Sequence, residues 1–327
     1  ILVYELNYFM QWGTPQDLED YNYWSGMFQS IIKKNKVPYQ EGNLLLPMVG
    51  EGSRFKEGGY EKPKPSITVS GRPMVIQAMQ DLPKTDAQIF ILREDLQDLE
   101  TLKSELNQAS NNAQFSILKS ITDGQATTCI DGSTNLEVDS KVTIAACDNG
   151  MNYDSELFNK MMKDDSVDII VWAARGYPGA IRSPQSYGWI DVDDQDYIRK
   201  VSVKSPLSDP KNDPIIVGAF TFKCLGDFID AVDHMKSRKA KINGEYYIDT
   251  AINDAIQIGK RCKVLEIKHY ICWGSPNDLK TFEYWQSCFH KWSSHKYRLE
   301  NDPYIAPDSL HLLKKTYERR WKNRNTY

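Results

Sequence analysis

A glycine-spaced turn followed by basic side chains has the residue types that phosphate chemistry needs. A short apolar run predicts a buried strand that ends at Gly50 and Gly52, with Ser53 and Arg54 directly behind them. Glycines let backbone N–H groups approach a polyphosphate, and the cations Arg54 and Lys64 would offset charge that builds up during phosphoryl transfer. The spacing fits neither a Walker loop nor a dinucleotide fingerprint. The turn is therefore a candidate phosphate-binding site, and a tight turn beside a solvated basic loop is the alternative.

A Pro-Lys-Pro sequence at residues 63–65 extends this pattern. A strand, a glycine-rich loop with an arginine and then Pro-Lys-Pro together resemble the sugar nucleotidyltransferases and the related phosphocholine cytidylyltransferases, over residues 43–290. The resemblance implies attack by an anionic acceptor phosphate on the α-phosphate of an NTP, with release of pyrophosphate. It also implies that the glycine turn binds the nucleotide and that Arg54 and Lys64 are catalytic. It also implies a role in making precursors of surface polysaccharides such as capsules. CTP and UTP are favoured without a decision between them.

Two aspartates are the metal ligands that the resemblance implies. Asp148 follows the apolar run 141–147 and occupies the position of the family's metal-binding Asp. Asp249 lies in Tyr-Tyr-Ile-Asp, which is similar to the motif that supplies the second carboxylate in phosphocholine-type enzymes. Mg²⁺ is commonly held by one or two carboxylates and substrate phosphates. Asp254 is a rival to Asp249, helix capping is the alternative role, and Cys272 stands where many sugar-1-phosphate enzymes carry their second Asp.

The same resemblance assigns residues to the nucleobase and to the acceptor. Backbone groups and a side-chain amide in one loop can hydrogen-bond a base edge. The residues expected to contact the base are Gly124, Gln125 and Ala126. Cations suit a phosphate-bearing acceptor. The residues expected to contact the acceptor are Arg175, Tyr187 and Lys204. An ordinary turn or a solvated loop is the structural alternative for each.

Buried strands that alternate with helical segments must position these residues. Apolar runs predict strands at residues 44–49, 88–92, 116–118, 141–147 and 168–172. The pattern predicts an α/β fold with a Rossmann-like, mostly parallel sheet and helices on both faces, as in nucleotidyltransferases of the GT-A-like type. A β-rich stretch from residue 187 to residue 222 predicts a small antiparallel insert. Ligands of such sheets bind at the carboxyl ends of the strands, where both the glycine turn and Asp148 fall.

The sequence also contains a long-range repeat. Residues 3–28 and 264–289 match at a constant offset of 261 residues, with 10 of 26 paired positions identical. A period of this length is that of a domain and not of a solenoid unit. We expect residues 1–40 to be the C-terminal strand, helix and linker of an upstream repeat domain in a longer tandem protein. The alternative is that both segments merely share a strand, a turn and a capped helix.

The repeat predicts where the domains of the chain begin and end, and it predicts that two of its tryptophans are buried. Residues 41–292 would form the nucleotidyltransferase domain, and residues 293–327 a helical C-terminal extension. Because residues 1–28 are rich in aromatic side chains, we expect Trp12 and Trp24 to be largely buried, with a helix that begins near Pro15. A homo-oligomer formed through residues 1–40 is one way to cover them.

Composition restricts the remaining function classes. The chain has 327 residues and a formal net charge of −4, which argues against non-specific nucleic-acid binding. Its six cysteines lie far apart without a Cys-x-x-Cys pair, as expected for reduced thiols in a cytoplasmic protein. No apolar run is long enough to span a membrane. A GT-A-type glycosyltransferase and a non-catalytic nucleotide-binding domain are the alternative functions, although the sequence after the metal strand is Asp-Asn-Gly and not Asp-x-Asp.

Overall fold

The computed structural model describes residues 6, 8–33 and 37–319. The strands in these ranges are β1 (Asn43–Pro47), β2 (Thr68–Val69), β3 (Arg72–Pro73), β4 (Ala87–Arg93), β5 (Ala113–Leu118), β6 (Val142–Ala145), β7 (Asn149–Asn152), β8 (Ile169–Ala174), β9 (Gly188–Val192), β10 (Ile198–Val203), β11 (Ile215–Phe222), β12 (Cys262–Glu266) and β13 (His269–Cys272). The α-helices are α1 (Pro15–Ile31), α2 (Ser53–Glu57), α3 (Met74–Met79), α4 (Leu99–Ala109), α5 (Gln125–Gly132), α6 (Ser155–Met162), α7 (Pro178–Arg182), α8 (Leu225–Ser237), α9 (Ile248–Gln257), α10 (Pro276–Lys291) and α11 (Leu310–Arg319). Short 3₁₀ turns lie at Lys64–Ser66, Pro184–Ser186, Leu299–Asn301 and Pro307–Ser309.

A mixed sheet of nine strands forms the centre of the molecule. Its parallel part runs β6-β1-β4-β5, and β12 pairs in parallel with β8. Strand β11 runs antiparallel between these two parts and pairs with both β6 and β8. The predicted α/β fold with a mostly parallel central sheet is therefore confirmed.

Two hydrophobic cores lie on opposite faces of this sheet. Successive side chains of a strand point to opposite faces. Accordingly Leu44 and Leu46 of β1 pack in the core that includes Trp24 and Phe282, while Leu45 packs in the core that holds α8 and α9. All three leucines have no exposed surface. Burial on both faces explains why β1 is a continuous apolar run and not an alternating one.

The antiparallel strands differ from the expected insert in one respect. Strands β9 and β10 form the predicted antiparallel hairpin. Strand β11, which the sequence grouped with them, pairs with β6 and β8 at the centre of the main sheet, and β9 and β10 extend this same sheet from β11. The additional two-stranded sheets β2-β3 and β7-β13 were not predicted.

The two segments of the sequence repeat form similar turns and helices. Thr14 accepts a hydrogen bond from the backbone N–H of Asp17 at the start of α1, and Ser275 does the same for Asp278 at the start of α10. The predicted helix near Pro15 is thus confirmed. The strand expected before it falls mostly on residues 1–5, which lie outside the described residues.

Of the two tryptophans that were expected to be buried, Trp24 is buried and Trp12 is not. Trp24, Trp273 and Trp285 are exposed by 1%, 2% and 8%, whereas Trp12 is exposed by 52%. The prediction for Trp12 was wrong. Its counterpart Trp273 is covered by the body of the domain, and the described residues offer Trp12 only a partial cover from Tyr21 and Trp292.

Two predictions from composition can be compared with the structure. All six cysteines are free thiols, as expected. Within the part of the chain that the structure describes, no helix combines the length and apolar character needed to cross a membrane.

Candidate active site

Two adjoining cavities open at the carboxyl edge of the parallel strands. The first, called the loop cavity here, has a volume of about 350 Å³ and is lined by the turn after β1 together with Lys64, Cys147 and Gly274. The turn residues that line it include Gly50, Gly52, Ser53 and Arg54. The sequence-predicted glycine turn therefore forms one wall of a cavity, with Lys64 on another.

The second cavity, called the inner cavity, has a volume of about 490 Å³. Asp148, Tyr187 and Asp249 line it, and so do residues at the N-terminus of α10. Arg54 and Gly274 line both cavities, so the two spaces adjoin at these residues. A group bound in one cavity can thus reach a group bound in the other.

Gly52 allows the turn to approach Lys64. Its φ of +63° lies in the left-handed region that favours glycine, and a Cβ at this position would lie 3.2 Å from the Lys64 Cβ. Arg54 follows on α2, and among the described residues it has no ion-pair partner. Its guanidinium is therefore available for a ligand.

Lys64 and Asp148 form an ion pair where the cavities meet. The Lys64 Nζ and the Asp148 Oδ2 are 2.5 Å apart, and the two side chains are exposed by 22% and 16%. Burial by itself would lower the pKa of Lys64, but the negative charge of Asp148, with a contribution from Cys147, outweighs this and raises it. Lys64 is therefore a fixed positive charge at neutral pH.

Asp148 is held in place by two antiparallel strands that lie far apart in the sequence. Strand β7 begins directly after Asp148 and pairs with β13, which places Cys272 opposite Asn149. The backbone N–H of Trp273 donates to the Asp148 carbonyl oxygen at 2.7 Å. Gly274 has no room for a side chain here, because a Cβ would lie 2.9 Å from the Asp148 Oδ2. Cys272, at which the sequence departs from the resemblance to sugar-1-phosphate enzymes, thus lies opposite Asn149 and close to Asp148.

Asp249 is the second carboxylate of the inner cavity, and Asp254 is not part of it. Asp249 lies in the first turn of α9, and a Cβ on Gly188 would lie 2.3 Å from its Oδ2, so the glycine makes room for the carboxylate. Burial raises the pKa of Asp249 to about 6. Asp254 has no exposed surface and is bound by both Nε and Nη2 of Arg238 at 2.8 Å. The rival position is therefore occupied by a structural ion pair.

The donor atoms around Asp148 suit a small hard cation. Asp148 and Asp249 supply carboxylate oxygens, and the buried Asn149 Oδ1 has no hydrogen-bond partner among the described residues. Mg²⁺ prefers oxygen ligands and usually takes several from substrate phosphates and water. The described residues contain no cluster of three or more His, Cys, Asp or Glu side chains that could hold a metal. The residues fit magnesium as a cofactor that binds with substrate.

The loop predicted to contact the base lies outside both cavities. Gly124 has a φ of +131°, and a Cβ there would lie 2.5 Å from backbone atoms of Tyr246. The Ala126 N–H donates to the Tyr246 carbonyl oxygen at 3.1 Å, and the Ala126 side chain is fully buried. Gln125, the first residue of α5, does not line either cavity. The close approach of the Tyr246 backbone thus explains why residue 124 is a glycine. A role of this loop in binding the base stays a prediction.

The predicted acceptor residues fall in different places. Tyr187 lines the inner cavity, and burial raises its pKa, so the phenol stays neutral. Arg175 instead pairs with Glu266 at 3.0 Å and donates to the Asn212 carbonyl oxygen. Lys204 donates to the Tyr247 Oη at 2.7 Å, with its Nζ 4.5 Å from the ring centroid. Neither cation lines the inner cavity, so only Tyr187 is positioned to meet a ligand there.

Several residues of the inner cavity were not predicted as site residues. They come from the loop before α7, from the turn after it and from the first turns of α10: Tyr177, Ser183, Ser186, Asn277, Asp278 and Thr281. The sequence carried one signal for the last group, the Trp-Gly-Ser-Pro turn at residues 273–276, which was interpreted only as part of the repeat.

Several solved structures of nucleotide-sugar pyrophosphorylases and NTP transferases resemble this fold. No family model and no curated protein matches the chain. A nucleoside-diphosphate-sugar pyrophosphorylase from Vibrio cholerae RC9 matches with a TM-score of 0.62 and 19% identity, over 73% of this chain and 98% of that one. The inositol-1-phosphate CTP transferase from T. maritima matches with a TM-score of 0.58 and 15% identity, over 79% and 100%. The UTP-bound UGPase from Acinetobacter baumannii gives 0.58 and 10%, over 78% and 96%.

This chain has the nucleotidyltransferase fold. The matches cover almost the whole of each neighbour. At identities of 10–19% they establish the fold and leave the reaction to be argued from the site. The fold implied by the sequence resemblance is confirmed.

Proposed function

We propose that this protein is a Mg²⁺-dependent nucleotidyltransferase, which joins an NTP to an acceptor phosphate and releases pyrophosphate. The observation that carries the proposal is the Lys64–Asp148 pair at the junction of two cavities, with Arg54 lining both. Transfer of a nucleotidyl group needs two anionic substrates to meet at one phosphorus atom. Two cavities that share a cationic wall provide such an arrangement.

The loop cavity is assigned to the triphosphate. The turn with Gly50, Gly52 and Ser53 offers backbone N–H groups, and Arg54 and Lys64 supply positive charge. The acceptor phosphate attacks the α-phosphorus, the bond to the bridging oxygen breaks, and pyrophosphate leaves with the electron pair. Lys64 and Arg54 stabilise the charge that develops on the phosphoryl oxygens.

The carboxylates are assigned to the cation. Asp148 and Asp249 would hold Mg²⁺, which supplies further neutralisation of phosphate charge when it is bound. The side chains that line the inner cavity include Asp148, Asp249 and Asp278 against Arg54 and Arg182. Lys64 already pairs with Asp148, so the phosphate charge of an anionic acceptor would be added to a cavity without excess positive charge, and a bound cation would offset it.

The inner cavity is assigned to the acceptor. Its polar lining from Tyr187, Ser186 and Asn277 suits the hydroxyl groups of a sugar phosphate or phospho-alcohol. The neighbours' names describe a CTP transferase acting on inositol 1-phosphate, a nucleotide-sugar pyrophosphorylase and a UTP-bound enzyme. We therefore favour CTP or UTP as the nucleotide. A product of this type would serve as an activated precursor for a surface polysaccharide, made in the cytoplasm where NTPs are supplied.

The test is a matrix of substrates with pyrophosphate release as the readout. Purified chain is incubated with each of the four NTPs and Mg²⁺, against a panel of sugar 1-phosphates, polyol phosphates and phosphocholine. We expect pyrophosphate only when an NTP, an acceptor and Mg²⁺ are all present, with a new NDP- or CDP-linked product seen by mass spectrometry. Release of nucleoside diphosphate from a nucleotide-sugar without pyrophosphate would favour the glycosyltransferase alternative. Nucleotide binding without turnover on any acceptor would favour the non-catalytic one.

A further inference from the structure

The two segments of the sequence repeat, which contain helices α1 and α10, contact each other in a symmetric way. When each residue of a contact is replaced by its counterpart 261 positions away, the resulting pair is also in contact. The Tyr23 hydroxyl donates to the Tyr270 carbonyl oxygen, and its counterpart, the Tyr284 hydroxyl, donates to the carbonyl oxygen of Phe9, the counterpart of Tyr270. The same contact therefore occurs twice, with the roles of the two segments exchanged. This reciprocity characterises an interface with twofold symmetry.

The aromatic contacts between the two helices follow the same rule. Trp24 stacks on its own counterpart Trp285, with ring centroids 6.4 Å apart and planes inclined by 16°. Phe28 contacts its own counterpart Phe289 at 5.5 Å. Residues related by a twofold axis meet in this way only close to the axis itself. Hence Trp24 and Phe28 mark its position.

A second aromatic pair supports the symmetry away from the axis. Phe28 packs on Phe282 at 5.5 Å. Exchange of both residues predicts a contact between Phe289 and Tyr21, and these rings lie 6.1 Å apart. The contact pattern is thus symmetric at four independent places, although the two segments belong to one chain and share fewer than half of their residues.

Outside this interface the two segments differ sharply in burial. Leu6, Phe9, Trp12 and Leu18 are exposed by 53%, 56%, 52% and 47%. Their counterparts, in the same order, are Ile267, Tyr270, Trp273 and Leu279, which are exposed by 3%, 4%, 2% and 1%. The counterparts are buried because the body of the domain covers them. The first segment therefore presents to solvent the side chains whose counterparts face the core of the domain.

We propose that residues 6–31 belong to a second domain of this same fold that precedes the present one in the natural polypeptide, and that the two domains dock through a twofold-symmetric α1–α10 interface. The occupant of the exposed face at residues 6–18 is the body of that second domain. The proposal depends on the repeat, the reciprocal contacts and the burial difference. It does not depend on the reaction proposed above, so failure of one leaves the other standing.

Footprinting with hydroxyl radicals and mass spectrometry tests the proposal. The natural full-length polypeptide is compared with residues 1–327. Phe9, Trp12 and Leu18 should be oxidised in the 327-residue chain and should lose this modification in the full-length protein, to the level of their buried counterparts. Trp273 should be protected in both proteins. Leu312, which is exposed by 65%, should be oxidised in both.

Three results would overturn the proposal. The side chains of Phe9, Trp12 and Leu18 could stay reactive in the full-length protein. The natural polypeptide could carry no preceding domain of this fold. Finally, the same side chains could already be protected in the 327-residue chain while it sediments as a dimer, which would assign the face to a second copy of this chain.

Discussion

At the scale of single residues, the Lys64–Asp148 pair couples the two proposed substrates. Each partner is mostly buried, and removing one leaves the other with an uncompensated charge. In the proposed reaction both groups would exchange their mutual contact for phosphate and cation. Each side chain lines one of the two cavities, so variants at either position are expected to affect the reaction.

Removal of Lys64 or Arg54 should lower turnover strongly. We expect Lys64→Ala and Arg54→Ala each to reduce kcat by about 10²-fold or more, the usual effect of losing one preorganised charge-stabilising group. The measurement is pyrophosphate release at saturating substrates. Lys62→Ala is the matched control, because Lys62 is an exposed lysine in the same loop that lines neither cavity. Two cavity variants as active as the control would contradict the assignment of the phosphates.

Neutralisation of Asp148 should remove the dependence on Mg²⁺ together with the activity. Asp148→Asn keeps the size of the side chain but loses the charge that would hold the cation. We expect activity to fall to background at ordinary Mg²⁺ concentrations, with an unchanged circular dichroism spectrum. Asp139→Asn, at an exposed aspartate, should keep full activity. A fully active Asp148→Asn variant would mean that the cation binds elsewhere.

Sequence reasoning found the residues whose motif is local and missed those that come together from afar. Gly50, Arg54 and Lys64 lie within 15 positions of one another, so spacing alone predicted a common site. Tyr177 and Asn277 reach the inner cavity only through the folded sheet and the approach of α10. Arg175 was predicted from its residue type and loop, and the structure pairs it with Glu266 away from the inner cavity, so its role toward the acceptor stays a prediction.

At the scale of elements, prediction succeeded where burial produces a continuous apolar run. Strands β4, β6 and β8 were predicted from such runs, because both of their faces are covered. Strands β7 and β13 were not predicted from the sequence. Each has only four residues, β7 includes two asparagines and a glycine, and their pairing joins positions more than 100 residues apart. No local pattern encodes such a pair.

Helix α1 should loosen as the pH falls. Ser25 hydrogen-bonds the His295 ring at 3.1 Å, and Ser30 contacts the His269 ring at 3.4 Å. Burial, with repulsion from Arg298 and Lys268, lowers the pKa of both histidines below the usual 6.5. A lowered folded-state pKa means that the unfolded chain takes up protons first. The stabilisation is therefore complete above about pH 6.5 and is lost as the pH falls below it.

The measurement is urea denaturation between about pH 7.5 and about pH 5.5. We expect the unfolding midpoint to decrease on acidification and hydrogen exchange in α1 to increase. The double variant His269→Gln/His295→Gln should show a smaller decrease. His311→Gln is the control, because His311 is exposed on α11 and its replacement should preserve the wild-type response. An unchanged pH response in the double variant would assign the effect to other groups.

At the scale of the whole molecule, the chain combines a nucleotidyltransferase fold with an N-terminal segment that we propose to belong to a second domain of that fold. The face of α1 toward α10 is packed as a core, with Trp24 and Phe28 almost fully buried. Leu6 and Phe9, which precede the helix, and Leu18 in its first turn are exposed. This division explains why the rule that aromatic residues are buried succeeded for Trp24 and failed for Trp12. Aromatic side chains are buried when the rest of their own domain surrounds them. Sequence composition does not show which domain surrounds a given side chain.

Alanine substitutions at the equivalent tryptophans should therefore have unequal effects on the 327-residue chain. Trp273→Ala and Trp24→Ala remove side chains that are at most 2% exposed, and each should cost about 3–5 kcal/mol of unfolding free energy. Trp12→Ala removes a ring that is half exposed and touches Tyr21 and Trp292 at its edge, so it should cost about 1 kcal/mol. Urea denaturation of the three variants gives the comparison. Equal losses at Trp12 and Trp273 would show that residues 6–12 already have their full packing partners in this chain.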